Sequence, residues 1–276
     1  MLLRIITGLS LLLSCVFFAF SNSALWLLPV LFFGCFLALL LAAFLVLWAF
    51  SLAVDMSKPQ EHDSRLYRTM VHLYIEALIP LVRAKIDATG LEKTPADRRI
   101  LLVCNHQNEA DPGILMHFFK DKKLSFVAKK EAESMIIVGP FLHKMLCQLI
   151  NRKNDREALK SILKCIQLLK DDEVSIGAFP EGGIFEKDKL HPFRSGVFKI
   201  AQKAKVPIVV CTLKGTSDLF HNMKRLKPTH IRLHLVDVIS AEEAAAANTV
   251  ELGERIYRMM LTDLGPEYAP ENTENT

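Results

Sequence analysis

The polarity pattern of the chain begins with a long apolar stretch. Ile5–Val54 contains no Asp, Glu, Lys or Arg, and Arg4 is the only charged side chain before it. A helix needs about 20 apolar residues to cross a hydrocarbon core about 30 Å thick, so the stretch is long enough for two helices. We predict a first helix over roughly Leu2–Phe20, a turn at Ser21–Ser23 and a second helix over Ala24–Val54. Lipid offers no hydrogen-bond partner to an open backbone, which favours helix for both segments.

Three arrangements of these helices fit the sequence. They form two full crossings of a bilayer or a re-entrant hairpin in one leaflet, or the first segment is a signal peptide cleaved at "SNSA". In both hairpin arrangements the two ends lie on the same side, and basic residues near each end favour the cytoplasm. These residues are Arg4, Lys58, Arg65 and Arg68. We therefore expect a membrane-embedded hairpin over residues 1–58 in a bacterial inner membrane, with the catalytic domain on the cytoplasmic face.

The pattern changes to that of a water-soluble domain after the hairpin. Apolar residues recur at intervals of three and four over Arg65–Val82, which predicts an amphipathic helix. Such a helix lies at the membrane interface or packs on the core, and we favour the core. Further helices are predicted over Asp155–Lys170 and Gly196–Lys205. Between and around them lie seven strand-like runs: Ala84–Ala88, Ile100–Cys104, Ser125–Ala128, Gln148–Ile150, Val174–Phe179, Pro207–Leu213 and Ile231–Val238.

This alternation of strands and helices predicts an α/β domain over residues 59–265, with a mainly parallel sheet flanked by helices. The polar residues 266–276 are predicted to form a frayed tail. The six cysteines show no CxxC spacing, so we expect free thiols in a reducing compartment. The net charge of +4 fits a surface facing anionic lipid or an acidic carrier. We expect no nucleic-acid partner.

The strongest chemical signal is the segment "NHQNEAD", directly after the second predicted strand. Asp111 followed by Pro112 is typical of a helix N-cap with proline at the first helical position. His106 would then lie at the carboxyl end of a strand and Asp111 at the start of a helix, with a loop that folds the two together. The carboxyl ends of strands in α/β sheets are where ligands bind.

A carboxylate beside one imidazole nitrogen fixes the tautomer, and the other nitrogen can then take a proton from an alcohol or water. The alternative is a structural histidine beside a helix cap. Cys104 as a nucleophile is disfavoured, because strand alternation buries it, and there is no G-x-S-x-G motif. His117 and His143 are not placed for a zinc site, so we expect no metal. A base without a protein nucleophile suggests direct attack by a substrate hydroxyl on an activated acyl group.

A second informative segment, "FPEGG", follows the fifth predicted strand. Gly182 and Gly183 let the backbone approach a ligand closely and offer N–H groups to an anion or oxyanion. Taken alone, the segment fits an ordinary tight turn equally well.

The ordered set of segments resembles the glycerolipid acyltransferase superfamily, whose best-known members are the 1-acylglycerol-3-phosphate acyltransferases. The resemblance covers roughly Ala84–Leu213. It consists of "NHQNEAD", then "FVAKKEAESMIIVGPF" with "LINRKNDREAL", then "FPEGG", then "VPIVVCTLKG". It implies transfer of an acyl group from acyl-CoA or acyl carrier protein to the hydroxyl of a lysophospholipid, with no cofactor. The preferred acceptor is 1-acylglycerol-3-phosphate, which gives phosphatidic acid.

The resemblance also implies roles for individual residues. His106 is the general base and Asp111 its orienting partner. Arg152 binds the phosphate of the acceptor. The remaining implied substrate contacts are Glu181, Gly182 and Gly183 in the third block, and Pro207, beside Val206, near the acyl-chain pocket.

Two positions depart from the family pattern. Ile184 stands where the third block commonly has an anion-binding arginine, and Val210 where the fourth often has proline. Arg194 lies ten residues after Ile184 and is expected to contact a phosphate or the carrier. The absent arginine leaves three alternatives open: a different lipid alcohol as acceptor, hydrolysis of the thioester by water, or a catalytically silent lipid-binding protein.

Overall fold

Two long apolar helices open the chain. The structure, a computed structural model, describes residues 1–21, 24–151, 154–185 and 187–270. Helix α1 spans Leu2–Ser21, and α2 spans Leu28–Leu52 after a 3-10 turn at Leu25–Leu27. By length and composition both helical segments are able to cross a membrane. The predicted pair of N-terminal apolar helices is confirmed; most of the predicted turn lies outside the described residues.

A seven-stranded sheet forms the centre of the rest of the chain. The strands are β1 (Ala84–Thr89), β2 (Leu101–Cys104), β3 (Leu124–Lys129), β4 (Gln148–Ile150), β5 (Ser175–Ala178), β6 (Ile208–Lys214) and β7 (Thr229–Ile239). Their order is β1-β7-β6-β2-β5-β3-β4, and all neighbours are parallel except β6 and β7. The predicted mainly parallel α/β fold is confirmed, and every predicted strand is present with ends within two residues of those expected.

Helices cover both faces of the sheet. They are α3 (Arg65–Leu81), α4 (Asp111–Phe118), α5 (Val138–Lys144), α6 (Asp155–Lys170), α7 (Lys199–Ala204), α8 (Leu219–Lys224), α9 (Ala241–Ala246) and α10 (Thr249–Leu264). Strand β2 is fully buried: Leu101 and Val103 belong to the core under α6, α7, α9 and α10, whereas Leu102 and Cys104 belong to the core under α3, α4, α5 and α8. Burial on both faces explains the nearly continuous apolar runs of the central strands.

Helix α3 joins the hairpin to the sheet. Its apolar residues Val71 and Ile75 pack on the core, as favoured above. On another side, the Tyr67 hydroxyl donates to the carbonyl of Phe50 at 3.1 Å, and the Tyr74 hydroxyl donates to the carbonyl of Ala43 at 2.6 Å. The last third of α2 therefore lies along α3.

A buried ion pair fixes the start of α3. The Arg68 guanidinium donates to both oxygens of Asp63, at 2.8 and 2.7 Å, and to the carbonyl of Leu124 at 2.8 Å. Both side chains are less than a tenth exposed. Arg68 therefore ties α3 to β3. The hypothesis that Arg68 contributes to the positive charge at the membrane surface is wrong, because burial and pairing remove it from that surface.

The C-terminal residues are packed further than expected. Pro266–Tyr268 forms a 3-10 turn, the Tyr268 ring is buried, and its carbonyl accepts a hydrogen bond from Leu190 N–H at 2.8 Å. The prediction of a frayed tail from residue 266 is thus wrong for its first residues, because Tyr268 packs in the core despite the polar sequence around it. Residues 271–276 lie outside the described part of the chain.

Replacing Arg68 by Met should destabilise the fold by about 3–5 kcal/mol, because it leaves the Asp63 carboxylate buried without its partner. Thermal unfolding in detergent measures the loss. Arg65→Met, on the exposed side of the same helix, is the matched control and should change little. Adding Asp63→Asn to Arg68→Met should recover part of the loss. An Arg68→Met protein as stable as the Arg65→Met control would contradict the role given to this pair.

Candidate active site

The side chain of Asn105 fixes the end of β2 by forming the hydrogen bonds that a strand backbone would form. The Asn105 side-chain amide donates to the carbonyl of Leu213 and accepts from its N–H, both at 2.8 Å. These bonds continue the pairing of β2 with β6 past Cys104, so the chain leaves the sheet in a defined direction. Cys104 itself is buried, and burial holds the pKa of its thiol well above the usual range. A thiol in that state is a poor nucleophile.

His106 and Asp111 meet at the carboxyl edge of the sheet. His106 Nδ1 lies 3.0 Å from Asp111 Oδ2, and the same oxygen accepts the backbone N–H groups of Gln107 at 2.7 Å and Asn108 at 2.8 Å. Asp111 is completely buried. Because a carboxylate only accepts, Nδ1 carries the hydrogen and Nε2 presents its lone pair. This is the arrangement required of a histidine base.

One detail of the prediction is wrong. Asp111 is the first residue of α4 rather than its N-cap, which is Ala110. The Asp111 side chain turns back into the loop, where the N–H groups of Gln107 and Asn108 capture it, and so does not bond the N–H groups of the first helical turn. The carboxylate therefore shapes the histidine loop instead of capping the helix.

An aromatic stack supports the imidazole from one side. The ring of His106 lies on that of Phe179, with centroids 4.0 Å apart and planes inclined by 16°, and Phe126 lies behind Phe179 at 5.7 Å. A Cβ at Gly177 would lie 2.4 Å from the Phe126 ring, so this position has room for glycine alone. The stack holds the imidazole plane against rotation while leaving one side to the neighbouring cavity.

Glu181 acts on the same loop from the adjacent turn. Its Oε1 accepts the backbone N–H of His106 at 2.8 Å and its Oε2 accepts that of His191 at 2.9 Å. Burial raises the pKa of Glu181 to about 7, although the two N–H groups act in the opposite direction. Both oxygens are engaged by the backbone. The geometry therefore favours a positioning role for Glu181, and its substrate contact stays a prediction.

The turn after β5 brings Arg194 to the site. Gly182 has φ of +84°, and its N–H donates to the carbonyl of Phe179 at 2.9 Å. That N–H is not available to an oxyanion, whereas the N–H of Gly183 makes no backbone hydrogen bond within the described residues. A Cβ on Gly182 would lie 2.9 Å from Arg194 Nε, so the guanidinium rests on the glycine.

A cavity of about 830 Å³ opens beside His106. Its walls are mostly apolar and come from α2, α3, α4, α5 and the turn that contains Gly183 and Ile184. The volume suits a lipid-sized ligand. Lys129, the last residue of β3, also lines it. Lys129 was not among the predicted site residues. Its place follows from the sheet: β3 is parallel to β5, and β5 is parallel to β2, so the last residue of β3 lies at the same edge as His106.

Other predicted residues do not come together here. Pro207 precedes β6 and is buried at the amino end of the sheet, where its carbonyl accepts Leu101 N–H at 3.0 Å. The cavity lining does not include it, and its contact with an acyl chain stays a prediction. Arg152 lies outside the described residues. Within the described part of the chain, no group of three or more His, Cys, Asp or Glu residues is placed to hold a metal ion.

The raised pKa of Glu181 predicts a pH dependence of stability. Because the folded pKa of about 7 exceeds the ordinary 4.5, the folded protein binds this proton more tightly and loses stability as pH rises through that window. The loss should reach about 3 kcal/mol. Melting temperatures measured in detergent across this range test it, with Glu181→Gln expected to remove the dependence and the exposed Glu92→Gln to keep it. Parallel pH curves for wild type and Glu181→Gln would refute the assignment.

Comparison with known proteins follows the same segments. The model of the Acyltransferase family matches residues 85–214, which contain His106, Asp111 and Glu181. A 1-acyl-sn-glycerol-3-phosphate acyltransferase from Bacillus subtilis is 30% identical over 183 residues, which are 64% of this chain and 89% of that protein. A probable 1-acyl-sn-glycerol-3-phosphate acyltransferase from Mycoplasma pneumoniae is 27% identical over 63% of this chain.

The matched lengths differ among relatives. The alignment spans 66% of the Mycoplasma protein and 45% of a chloroplastic 1-acyl-sn-glycerol-3-phosphate acyltransferase from Brassica napus, which is 30% identical over 55% of this chain. The crystal structure of the 1-acyl-sn-glycerophosphate (LPA) acyltransferase PlsC from Thermotoga maritima superimposes with a TM-score of 0.60 at 18% identity, covering 95% of this chain and 96% of that one. That likeness shows a shared fold. By its matched segments and its similarity along almost the whole Bacillus subtilis protein, this chain belongs to the acyltransferase family.

Proposed function

We propose that this protein transfers an acyl group from an acyl thioester to the hydroxyl of a lysophospholipid, with 1-acylglycerol-3-phosphate as the preferred acceptor. The observation that carries the proposal is the oriented His106–Asp111 pair at the edge of an apolar, lipid-sized cavity. Relatives whose names state this activity support the same acceptor. Acyl-CoA or acyl carrier protein serves as donor.

The chemistry follows from the tautomer of the histidine. Nε2 of His106 takes the proton of the acceptor hydroxyl as the oxygen attacks the thioester carbon, and the buried Asp111 stabilises the imidazolium that forms. The N–H of Gly183 is the candidate donor to the oxyanion. Collapse of the tetrahedral intermediate expels the thiolate, which receives the proton from His106. The products are an ester and a free thiol, and no acyl-enzyme forms.

Two cations are proposed to bind the head group of the acceptor. Arg194 rests on Gly182, and Lys129 lines the cavity that contains His106. Ile184 stands in place of the usual arginine, so Arg194 and Lys129 supply the positive charge near the turn that contains Gly182 and Gly183. Arg152, which the family resemblance assigns to the phosphate, remains part of the proposal.

We propose that residues 1–58 form a hairpin that enters the membrane from one side and returns to the same side. Helix α2 contacts α3 at Ala43, whose carbonyl accepts the Tyr74 hydroxyl. The fifteen residues of α2 before Ala43 span about 22 Å at 1.5 Å per residue. This part of α2, which lies before its contact with α3, is shorter than a hydrocarbon core of about 30 Å. It supports a re-entrant hairpin over two full crossings, with the α/β domain on the cytoplasmic surface.

Replacing His106 by Ala should reduce acyl transfer by at least about 100-fold, because the general base is lost. Mass spectrometry of the products from an acyl thioester and lysophosphatidic acid, with protein purified in detergent, measures it. His143→Ala is the matched control, since that imidazole bonds the carbonyl of Lys58 and does not line the cavity. Undiminished transfer by folded His106→Ala protein would refute the mechanism, and release of fatty acid alone by the wild type would favour hydrolysis.

Restoring the family arginine, as Ile184→Arg, should improve kcat/KM for a phosphomonoester acceptor by about tenfold to a hundredfold, the effect of one charge-assisted contact. Arg194→Met should lower it by a similar factor. Neither change should affect a neutral acceptor such as monoacylglycerol. The exposed Arg156→Met serves as the control for surface charge. If Arg194→Met reduced transfer to both acceptors equally, the residue would not be a head-group contact.

A further inference from the structure

Helix α8 and the turn that follows it present an unusual apolar edge to solvent. Phe220, Met223 and Leu226 recur at every third position and are 40%, 37% and 74% exposed. Phe220 and Met223 are three apart on α8 and lie on the same side of it, and Leu226 follows in the turn directly after the helix. Buried Leu219 anchors α8 to the core beneath it. Scattered exposed apolar residues are ordinary, but a contiguous patch marks an interaction surface.

Uncompensated positive charge surrounds this patch. Lys224, Arg225 and Lys227 are all exposed, and the segment from Leu219 to His230 contains no Asp or Glu. Within the described part of the chain, none of these three cations forms an ion pair or side-chain hydrogen bond. The segment therefore combines apolar and cationic side chains, as interfacial elements do.

The backbone at Leu226 is the second unusual feature. Its φ is +55°, in the left-handed region that glycine or asparagine usually occupies. Its N–H bonds the carbonyl of Met223, and the neighbouring Lys227 N–H bonds that of Asn222, so the turn is well defined. A leucine held in this conformation yet mostly exposed gains no packing from its own chain that would offset the strain.

The segment after the patch is bonded to the residue that follows α3. Thr229 N–H, just after the patch, donates to the carbonyl of Arg83 at 3.1 Å. Arg83 follows the end of α3, whose Leu78 and Leu81 are also exposed. One turn earlier on α3, Glu76 pairs with the N-terminal amine of α1. The end of α3 thus adds further exposed apolar side chains on the elements bonded to this segment.

We propose that α8 and its turn, residues 219–227, form a second contact with the bilayer, resting on an anionic lipid surface beside the hairpin. Phe220, Met223 and Leu226 enter the boundary between head groups and acyl chains, and the neighbouring cations meet lipid phosphates. The proposal rests on the proposed seating of the hairpin in the membrane. Two separated contacts would stop the domain from rotating about the hairpin and keep one side of it against the lipid.

Depth-dependent fluorescence tests this contact in the full-length protein. The chain has two tryptophans, Trp26 and Trp48, both in the hairpin. Phe220→Trp in a Trp26→Phe, Trp48→Phe background places a single probe on α8. The protein is reconstituted into phosphatidylglycerol-containing vesicles, with or without lipids brominated on the upper acyl chain. We expect roughly twofold or greater quenching, because interfacial elements insert by about 5–10 Å.

The matched control is Val250→Trp in the same background, an apolar position that is 54% exposed, at the start of α10 on the opposite helix layer. This probe should be unaffected by bromine. Replacing Lys224, Arg225 and Lys227 by Gln should weaken quenching of the Phe220→Trp probe, while acyl transfer in detergent stays unchanged. Equal responses at positions 220 and 250 would overturn the proposal.

A third probe separates this proposal from the membrane seating on which it rests. With Trp48→Phe alone, the remaining Trp26 reports on insertion of the hairpin. Quenching at Trp26 without quenching at position 220 would leave the hairpin in the bilayer and overturn the contact through α8. If position 220 responded only to an added acidic acyl carrier protein, the patch would be a protein-docking surface and the proposal would again fail. His106-dependent transfer, assayed in detergent, is independent of all these outcomes.

Discussion

The site depends on one buried oxygen. Asp111 Oδ2 accepts three hydrogen bonds, from the His106 ring and from the N–H groups of Gln107 and Asn108. Each donor comes from the same short loop, so a single carboxylate determines the path of the loop and the tautomer of the base. Asn105 and Glu181 then fix the loop to β6 and to the turn after β5. Removing water from this oxygen makes each of its bonds stronger and makes an unpaired state costly.

The α/β fold explains why these contacts converge. β2, β3, β5 and β6 are parallel, so the segments that follow them emerge at one edge of the sheet. That edge carries the histidine loop, Lys129 and the turn with Gly182 and Gly183. The helix layer on the side of α3 adds the apolar cavity, and α3 joins that layer to the hairpin. The His106–Asp111 pair, which we propose to act beside lipid, is thus held by loops that leave the central sheet.

Much of this was predictable from the sequence because it depends on local patterns. The strands were found from apolar runs, since the central ones are buried on both faces, and the His106–Asp111 pair was found because one short loop contains both. The roles of Asn105 and Glu181 depend on partners 108 and 75 residues away, which spacing does not reveal. The distance of Pro207 from His106 had a signal in the sequence, because a residue that precedes a strand parallel to β2 must lie at the edge opposite His106.

The wall of the cavity contributed by α2 has a consequence for any shortened version of the chain. Leu47 of the hairpin lines the same cavity as His106, beside Tyr74 of α3, whose hydroxyl bonds to α2. Deleting the hairpin would therefore remove part of the cavity wall and expose apolar residues of α3 to water. A chain shortened in this way would keep the His106–Asp111 pair but not the complete cavity beside it.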